Sequence, residues 1–462
     1  MISHIKYKIY FLGIGGIGMS AIARYFNHIG LKVYGYDKTE TDLTKKLQSE
    51  GIQIHYDDNY KQILKYNIDN TNCFVVLTPA IPKENMELAW FIKNNFEIFK
   101  RSEILGLLSK QQKSIAVAGT HGKTTTSTLI AHILKQSRLD CSAFLGGIST
   151  NYNTNLLLNE RKSKDPLMVV EADEFDRSFL TLSPYLSIIT STDADHLDIY
   201  GKHKELKKSF LDFSNCLVSG GTLIVKKELD ILKQLKVPYI TYSINEKADV
   251  YAFNIIIKNG EYIFDLNYKN KIYKKLKLGM PGLHNVENAV AASAACLMLG
   301  VSITELRKSL KNFLGVKRRF EYIVKNKNQI FIDDYAHHPE ELKAIISSVK
   351  NMYKGKKISI VFQPHLYSRT RDLAKGFAES LSLADEVFLL DIYPARELPI
   401  KGVTSKILYD KIKSKSKSLC SKEELLNRIK FNKPEIFLTL GAGDIDMLVD
   451  PLKKIFLANK SK

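Results

Sequence analysis

The segment Gly119-Thr120-His121-Gly122-Lys123-Thr124-Thr125 has the residue types that phosphate chemistry needs. Its glycines let backbone N–H groups surround phosphates, Lys123 can reach the transferring phosphoryl group, and the Thr124 hydroxyl can bind Mg²⁺. The loop is short: the first glycine of the general Walker pattern would fall at Val117. Two acidic runs follow, Glu171-Ala172-Asp173-Glu174 and Asp193-Ala194-Asp195-His196-Leu197-Asp198. Each stands after a short apolar stretch, Leu167–Val170 and Leu186–Thr190, and strand C-termini are where parallel sheets bind ligands. Both runs fall at the sheet edge that carries the phosphate loop, so Glu171 and His196 are read as metal-binding beside Thr124. In the run Pro281–Asn288, Asn285 and Asn288 can pair with an adenine edge, although Asn285 suits a helix N-cap equally well.

A second glycine cluster, Gly13-Ile14-Gly15-Gly16-Ile17-Gly18, follows the apolar run Ile9–Leu12 and opens a helical pattern through His28. Glycines there allow a diphosphate to approach the backbone at a helix N-terminus, and Asp37, at the end of the next strand, stands where an acid can bind a ribose hydroxyl. Alone, the pattern fits NAD, FAD or a turn with no ligand.

The elements that must hold these loops form three α/β blocks. The first covers Lys8 to Lys110, with strands at Ile9–Leu12, Lys32–Tyr36 and Cys73–Thr78. The second opens with the strand Ser114–Ala118. In it, Thr222–Leu278 changes to alternating segments with turn signals such as Lys258-Asn259-Gly260, which predicts an antiparallel insert before a helix over Asn285–Leu299. The third begins near Arg318, with strands at Ile330–Ile332, Ile358–Phe362, Val387–Asp391 and Ile436–Leu440. Strands alternating with helices predict parallel, doubly wound sheets.

With 462 residues, 45% hydrophobic and 25% charged, the chain reads as a multidomain globular protein. Its net charge of +19 suits anionic partners, but the lysines are scattered rather than gathered in a stripe, which argues against nucleic acid. The five cysteines, Cys73, Cys141, Cys216, Cys296 and Cys420, form no CxxC pair, so a disulfide framework or zinc site is not expected and a reducing, cytoplasmic setting fits. Lys6 and Lys8 before an apolar run, with Ala21-Ile22-Ala23 beyond, imitate a signal peptide. The four interrupting glycines favour a strand and phosphate turn instead. No stretch is apolar for the ~20 residues of a membrane span.

Taken together, Gly119–Thr126, Glu171–Phe175, Asp193–Asp198 and His284–Asn288 resemble the Mur ligase family of peptidoglycan synthesis, and the likeness covers nearly the whole chain. Gly13–Ser20, His121, Asp333-Asp334-Tyr335-Ala336-His337-His338-Pro339 and Phe362-Gln363-Pro364-His365 resemble the branch that joins L-alanine to UDP-N-acetylmuramate with ATP.

The resemblance implies three domains: a Rossmann-like UDP-sugar domain over 1–110, an ATP-binding domain over 111–317, and a Rossmann-like amino-acid domain over 318–462. It moves the Gly13, Gly15, Gly16, Ile17, Gly18 and Asp37 set from NAD to UDP. It implies that Gly119, Thr120, His121, Gly122, Lys123, Thr124 and Thr125 hold ATP phosphates, with Asn285 and Asn288 at adenine, Arg319 at phosphate and Asp333 at ribose. Tyr335, His337 and Arg369 would lie near the alanine. Lys123, Glu171, His196 and His337 would be catalytic, with ATP as co-substrate, Mg²⁺ as cofactor, and a monomer or dimer as the working form. In two respects the sequence departs from relatives. Leu366 stands where some carry Arg, and Lys207 and Lys208 read as helix-surface charges rather than the carbamylated lysine of several sister ligases. The rival readings are a ligase that recycles peptides onto the same UDP-sugar, folylpolyglutamate synthase, a nucleotide-binding protein without ligation, and a basic nucleic-acid binder.

Overall fold

A computed structural model describes residues 7–161, 164–193, 200–258, 261–326, 328–395 and 397–458. The chain divides into two compact units. One is Met1–Phe253 with Asp265–Leu276 and Glu287–Asn312; the other is Asn254–Phe264 with Lys277–Val286 and Phe313–Lys462.

In the first unit, β1 (Lys8–Leu12), β2 (Lys32–Tyr36), β3 (Gln53–His55), β4 (Cys73–Leu77) and β5 (Glu97–Lys100) form a sheet of order β3-β2-β1-β4-β5. All its pairs are parallel. Every residue of β1 is buried, as a central parallel strand requires. Successive side chains point to opposite faces, so Ile9 and Phe11 feed one apolar cluster while Tyr10 and Leu12 feed another.

A larger sheet follows: β6 (Lys113–Ala118), β7 (Ser142–Ser149), β8 (Thr154–Leu157), β9 (Leu167–Glu171), β10 (Leu186–Ile189), β11 (Thr222–Lys226), β12 (Tyr239–Ser243), β13 (Val250–Lys258), β14 (Glu261–Tyr268) and β15 (Lys271–Leu278). Their order is β15-β14-β13-β12-β11-β10-β6-β9-β7-β8. The central strand β6 runs parallel to β9 and β10, so the loops leaving β6, β9 and β10 emerge at one edge.

The expectation of an antiparallel insert over Thr222–Leu278 needs correction at its start. β11 pairs in parallel with β10 and β12, and β12 with the first residues of β13. The reason is visible in β11, where Leu223, Ile224 and Val225 are buried in succession, the pattern of an interior parallel strand rather than a half-exposed one. Alternation is seen at the start of β13 and in the first part of β14. Asn259 and Gly260 of the expected turn lie outside the described residues.

The second unit is built on β16 (Glu321–Lys325), β17 (Ile330–Asp334), β18 (Ile358–Phe362), β19 (Glu386–Leu389), β20 (Ser416–Leu419) and β21 (Ile436–Leu440), in the order β16-β17-β21-β18-β19-β20. All pairs are parallel except β16 with β17. The sequence reading misses β3, β5, β7, β8, β16 and β20; all but β7 are edge strands, too short or too polar to stand out as apolar runs. Among the described residues, no helix is long and apolar enough to cross a membrane.

Candidate active site

The helix Lys123–Lys135 starts directly after the turn that leaves β6, and its N-cap, Gly122, has φ 82° and no side-chain cap. Gly119, at φ 132°, also needs a backbone that other residues rarely adopt. A Cβ on Gly119 would lie 2.1 Å from Thr190 Oγ1, and one on Gly122 would lie 2.6 Å from Asn288 Oδ1. The turn is braced from β10: the Ser191 hydroxyl accepts from the His121 N–H at 2.7 Å and pairs with Thr120 Oγ1 at 2.9 Å. The Asp193 N–H donates to Thr120 Oγ1 at 3.1 Å. His121 Nε2 stands 3.8 Å from Asp193 Oδ2.

The end of β9 gives each of its acids a separate task. Glu171 Oε1 accepts from Thr124 Oγ1 at 3.0 Å, and its Oε2 accepts from the Gly146 N–H at 3.1 Å. Glu174, fully buried, receives Lys123 Nζ at 2.8 Å, while the same ammonium donates to the Gly119 carbonyl at 2.7 Å. Asp173 lies 3.4 Å from Arg101. Burial pulls the Lys123 pKa down, but Glu174, Asp173 and Glu171 outweigh it, so the ammonium titrates above its ordinary value and stays charged. Sequence reasoning quoted Glu174 without assigning its role and missed Gly146 and Arg101. Spacing alone does not say which acid of the three meets which partner.

Thr124 and Glu171 present oxygens to one point, the donor chemistry that Mg²⁺ prefers, and so fit such an ion. His196, the third expected ligand, lies outside the described residues. Lys207, on the helix His203–Ser214, pairs with Asp230 at 2.5 Å, and Lys208 is exposed.

The other glycine turn is held by its own backbone. Gly13 has φ 85°, and the N–H groups of Gly13 and Ile14 donate to the Tyr36 carbonyl at 2.8 and 3.0 Å. Asp37 Oδ2 accepts from the Gly15 N–H at 2.7 Å, so this acid shapes the turn itself. The helix Ile17–His28 begins after Gly16, which provides no side-chain cap. A Cβ on Gly18 would lie 2.7 Å from Arg101 Nη1, which places that guanidinium against the first turn.

In the second unit, Arg318 Nε lies 3.2 Å from Asp333 Oδ2, and Thr439 Oγ1 donates to Asp333 Oδ1. Asp333 is thus turned inward at 1% exposure, and burial pushes its pKa up to about 6 against the pull of Arg318. Asp334 accepts from the Phe320 and Ala336 N–H groups at 2.6 and 2.8 Å, fixing the turn on which Arg318 and Arg319 both flank the Tyr335 ring at 5.2 Å. Glu341 Oε2 accepts from the His337 N–H at 2.9 Å, and His337 Nδ1 contacts the Tyr335 carbonyl at 3.0 Å. Burial lowers the His337 pKa, with Arg369 and Arg319 working in the same direction against Glu341, so its imidazole is neutral at pH 7. Leu366 is buried with φ 71° and caps the short helix Tyr367–Asp372 that carries Arg369. Asn285 is buried, and its amide donates to the Pro281 carbonyl at 2.5 Å.

Three family models match the chain in succession: Mur ligase family, catalytic domain, over residues 8–113; Mur ligase middle domain over 117–296; and Mur ligase, glutamate ligase domain, over 318–443. The chain belongs to the Mur ligase family. It is 49% identical over 451 residues to the UDP-N-acetylmuramate–L-alanine ligase of Porphyromonas gingivalis, covering 97% of this chain and 98% of that protein. It is 48% identical to the enzyme of the same name from Flavobacterium johnsoniae, covering 98% of each. The solved UDP-N-acetylmuramate-alanine ligase of Thermotoga maritima superposes with a TM-score of 0.82 at 30% identity, over 98% of this chain and 99% of that one. A murein peptide ligase from Psychrobacter arcticus shares the fold, at a TM-score of 0.71 and 22% identity, over 99% and 100% of the two chains.

Proposed function

We propose that the chain joins L-alanine to the lactyl carboxylate of UDP-N-acetylmuramate, consuming ATP and releasing ADP and phosphate through an acyl phosphate. The observation that carries this reading is the convergence of Lys123, Thr124, Glu171 and Glu174 at one sheet edge in a chain 49% identical, over 97% of its length, to an enzyme of that name. In this reading the UDP-sugar domain is 1–110, the ATP domain 111–317 and the amino-acid domain 318–462.

A carboxylate yields an amide only after its oxygen becomes a leaving group. The lactyl carboxylate attacks the ATP γ-phosphorus and ADP departs; the alanine amine then attacks the acyl carbon and phosphate leaves. The first step brings two anions together. Lys123, kept charged by its carboxylate neighbours, offsets that repulsion at the γ-phosphate, and the backbone N–H groups of Gly119–Thr125 hold the phosphate chain. When bound by Thr124 and Glu171, with His196 as the proposed third ligand, Mg²⁺ would supply further charge neutralisation. Asn285 and Asn288 serve adenine and Arg319 serves phosphate. Asp333 supports the ribose region while anchored by Arg318. Tyr335, His337 and Arg369 receive the alanine, and the neutral His337 imidazole takes the ammonium proton. The turn formed by Gly13, Gly15, Gly16, Ile17 and Gly18, shaped by Asp37, holds the UDP diphosphate. The enzyme works in the cytoplasm as a monomer or dimer.

Phosphate release from ATP is the test, with Mg²⁺, UDP-N-acetylmuramate and L-alanine, glycine, L-serine or a tripeptide supplied in turn. Release with L-alanine and a product heavier by one alanyl unit is expected. Release only with the tripeptide would transfer the chain to the recycling reaction.

A further inference from the structure

The hairpin formed by β7 and β8 touches both proposed ligand sites. At one end, β7 pairs in parallel with β9 as far as Phe144 opposite Val170, one residue before Glu171. Its register against β8 then shifts between Phe144 and Ser149. Within that irregularity the Gly146 N–H donates to Glu171 Oε2 at 3.1 Å, and a Cβ on Gly146 would lie 2.2 Å from the same oxygen. Only glycine lets the hairpin seat Glu171 in this way.

At the other end, β8 meets the helix that leaves the Gly13–Gly18 turn. Asn155 is 1% exposed, and its Nδ2 donates to the Ile17 carbonyl at 2.6 Å and to Ser20 Oγ at 2.9 Å. Ser20 Oγ, also buried, donates to the Ile17 carbonyl at 2.9 Å. Further along that helix, Arg24 grips Glu50 through two bonds of 2.6 and 2.7 Å and extends its remaining nitrogen to Thr154 Oγ1 and to Asn155 Oδ1, the latter at 3.4 Å. Tyr25 packs on Phe144 with ring centroids 5.4 Å apart. The helix has no side-chain cap of its own, so its first turn takes its placement from a strand of the neighbouring sheet.

We propose that Asn155 is a positioning residue for the nucleotide sugar, and that the β7–β8 hairpin is a strut setting the distance between the Gly13–Gly18 turn and the Glu171–Thr124 pair. This rests on the assignment of those two places to the UDP-sugar and ATP. Transfer requires the lactyl carboxylate to sit in line with the γ-phosphorus, and a displacement of about 1 Å is enough to reduce the rate severely. An amide suits the position because two acceptors, the Ile17 carbonyl and Ser20 Oγ, face one donor group. A carboxylate of the same shape would offer them lone pairs.

The test uses Asn155→Asp and Ser20→Ala in the full chain, with KM measured separately for UDP-N-acetylmuramate, ATP and L-alanine beside melting temperature. The expected result is a rise in KM for the UDP-sugar of about tenfold in Asn155→Asp and about threefold in Ser20→Ala, with KM for ATP and L-alanine within about twofold of wild type. Should Asn155→Asp fail to fold, Ser20→Ala decides. A lowered melting temperature with the UDP-sugar KM unchanged, or all three KM values rising together, overturns the proposal. A wild-type chain that releases no phosphate with this substrate pair overturns the functional reading itself, a different result from either.

Discussion

The two glycine turns stand on similar strand–turn–helix supports and solve different problems. At Gly13–Gly18, the Tyr36 carbonyl and the Asp37 carboxylate occupy the N–H groups of Gly13, Ile14 and Gly15, and the guanidinium against the turn, Arg101, comes from another helix. At Gly119–Thr125, a lysine inside the turn is surrounded by three carboxylates and the backbone is braced by Ser191 and Thr190. A pre-shaped cradle with no lysine in the turn suits a group that is held and not changed. A charged lysine whose counter-ions are protein carboxylates suits a group that moves, because it can exchange those partners for phosphate oxygens. The contrast separates binding from chemistry within one unit of the fold.

The largest effect expected from breaking this contrast is at Lys123. Lys123→Ala should reduce phosphate release by at least about 10²–10³-fold and, by leaving Glu174 buried without its ammonium, should cost roughly 3–5 kcal/mol of stability. Adding Glu174→Gln should recover much of the stability and none of the turnover; a double variant that regains activity would remove Lys123 from the mechanism. Next comes Gly146→Ala, whose methyl group must displace the Glu171 carboxylate. A fall in kcat of about 10²-fold is expected, with the UDP-sugar KM little changed. A wild-type kcat there would show that the position of Glu171 does not matter. Asp37→Asn weakens one bond within the cradle, worth roughly 1 kcal/mol, so the UDP-sugar KM should rise about fivefold while kcat holds.

A smaller effect tests how the helix after the charged turn is pinned. His132 is buried between Tyr152 OH and the Ser309 carbonyl, and burial lowers its pKa to about 4. Between the ordinary histidine value near 6.5 and this one, the unfolded chain binds a proton that the folded chain refuses. Stability therefore falls as pH drops from about 6.5 towards 4. His132→Gln should flatten part of that loss in thermal melts at pH 7, 6 and 5. An unchanged pH slope would mean that His132 is not a source of acid sensitivity.

Much of this arrangement is legible in the residues because it is local. An apolar run, a glycine at positive φ and a helix signal identify both turns, and Lys123, Thr124 and Glu171 meet where the strand ends predict. What is not legible depends on register. Gly146 reaches Glu171 only through the strand irregularity in β7, and Asn155 reaches Ile17 only because β8 is the edge strand beside that helix. Nothing in the letters near either residue encodes those partners. Asp37 and Asp333 show a second kind of hidden partner: strand-end acids expected at ribose hydroxyls also bond to the protein's own Gly15, Arg318 and Thr439. The parallel start of the Thr222–Leu278 region is hidden by the polar ends of β11, Thr222 and Lys226, and by the half-polar face of β12.

If the cradle binds and the charged turn reacts, calorimetric titration of UDP-N-acetylmuramate into the Lys123→Ala/Glu174→Gln variant gives a dissociation constant within about threefold of wild type in a protein that releases no phosphate. Loss of UDP-sugar binding in that variant would mean that the two turns are one site rather than two.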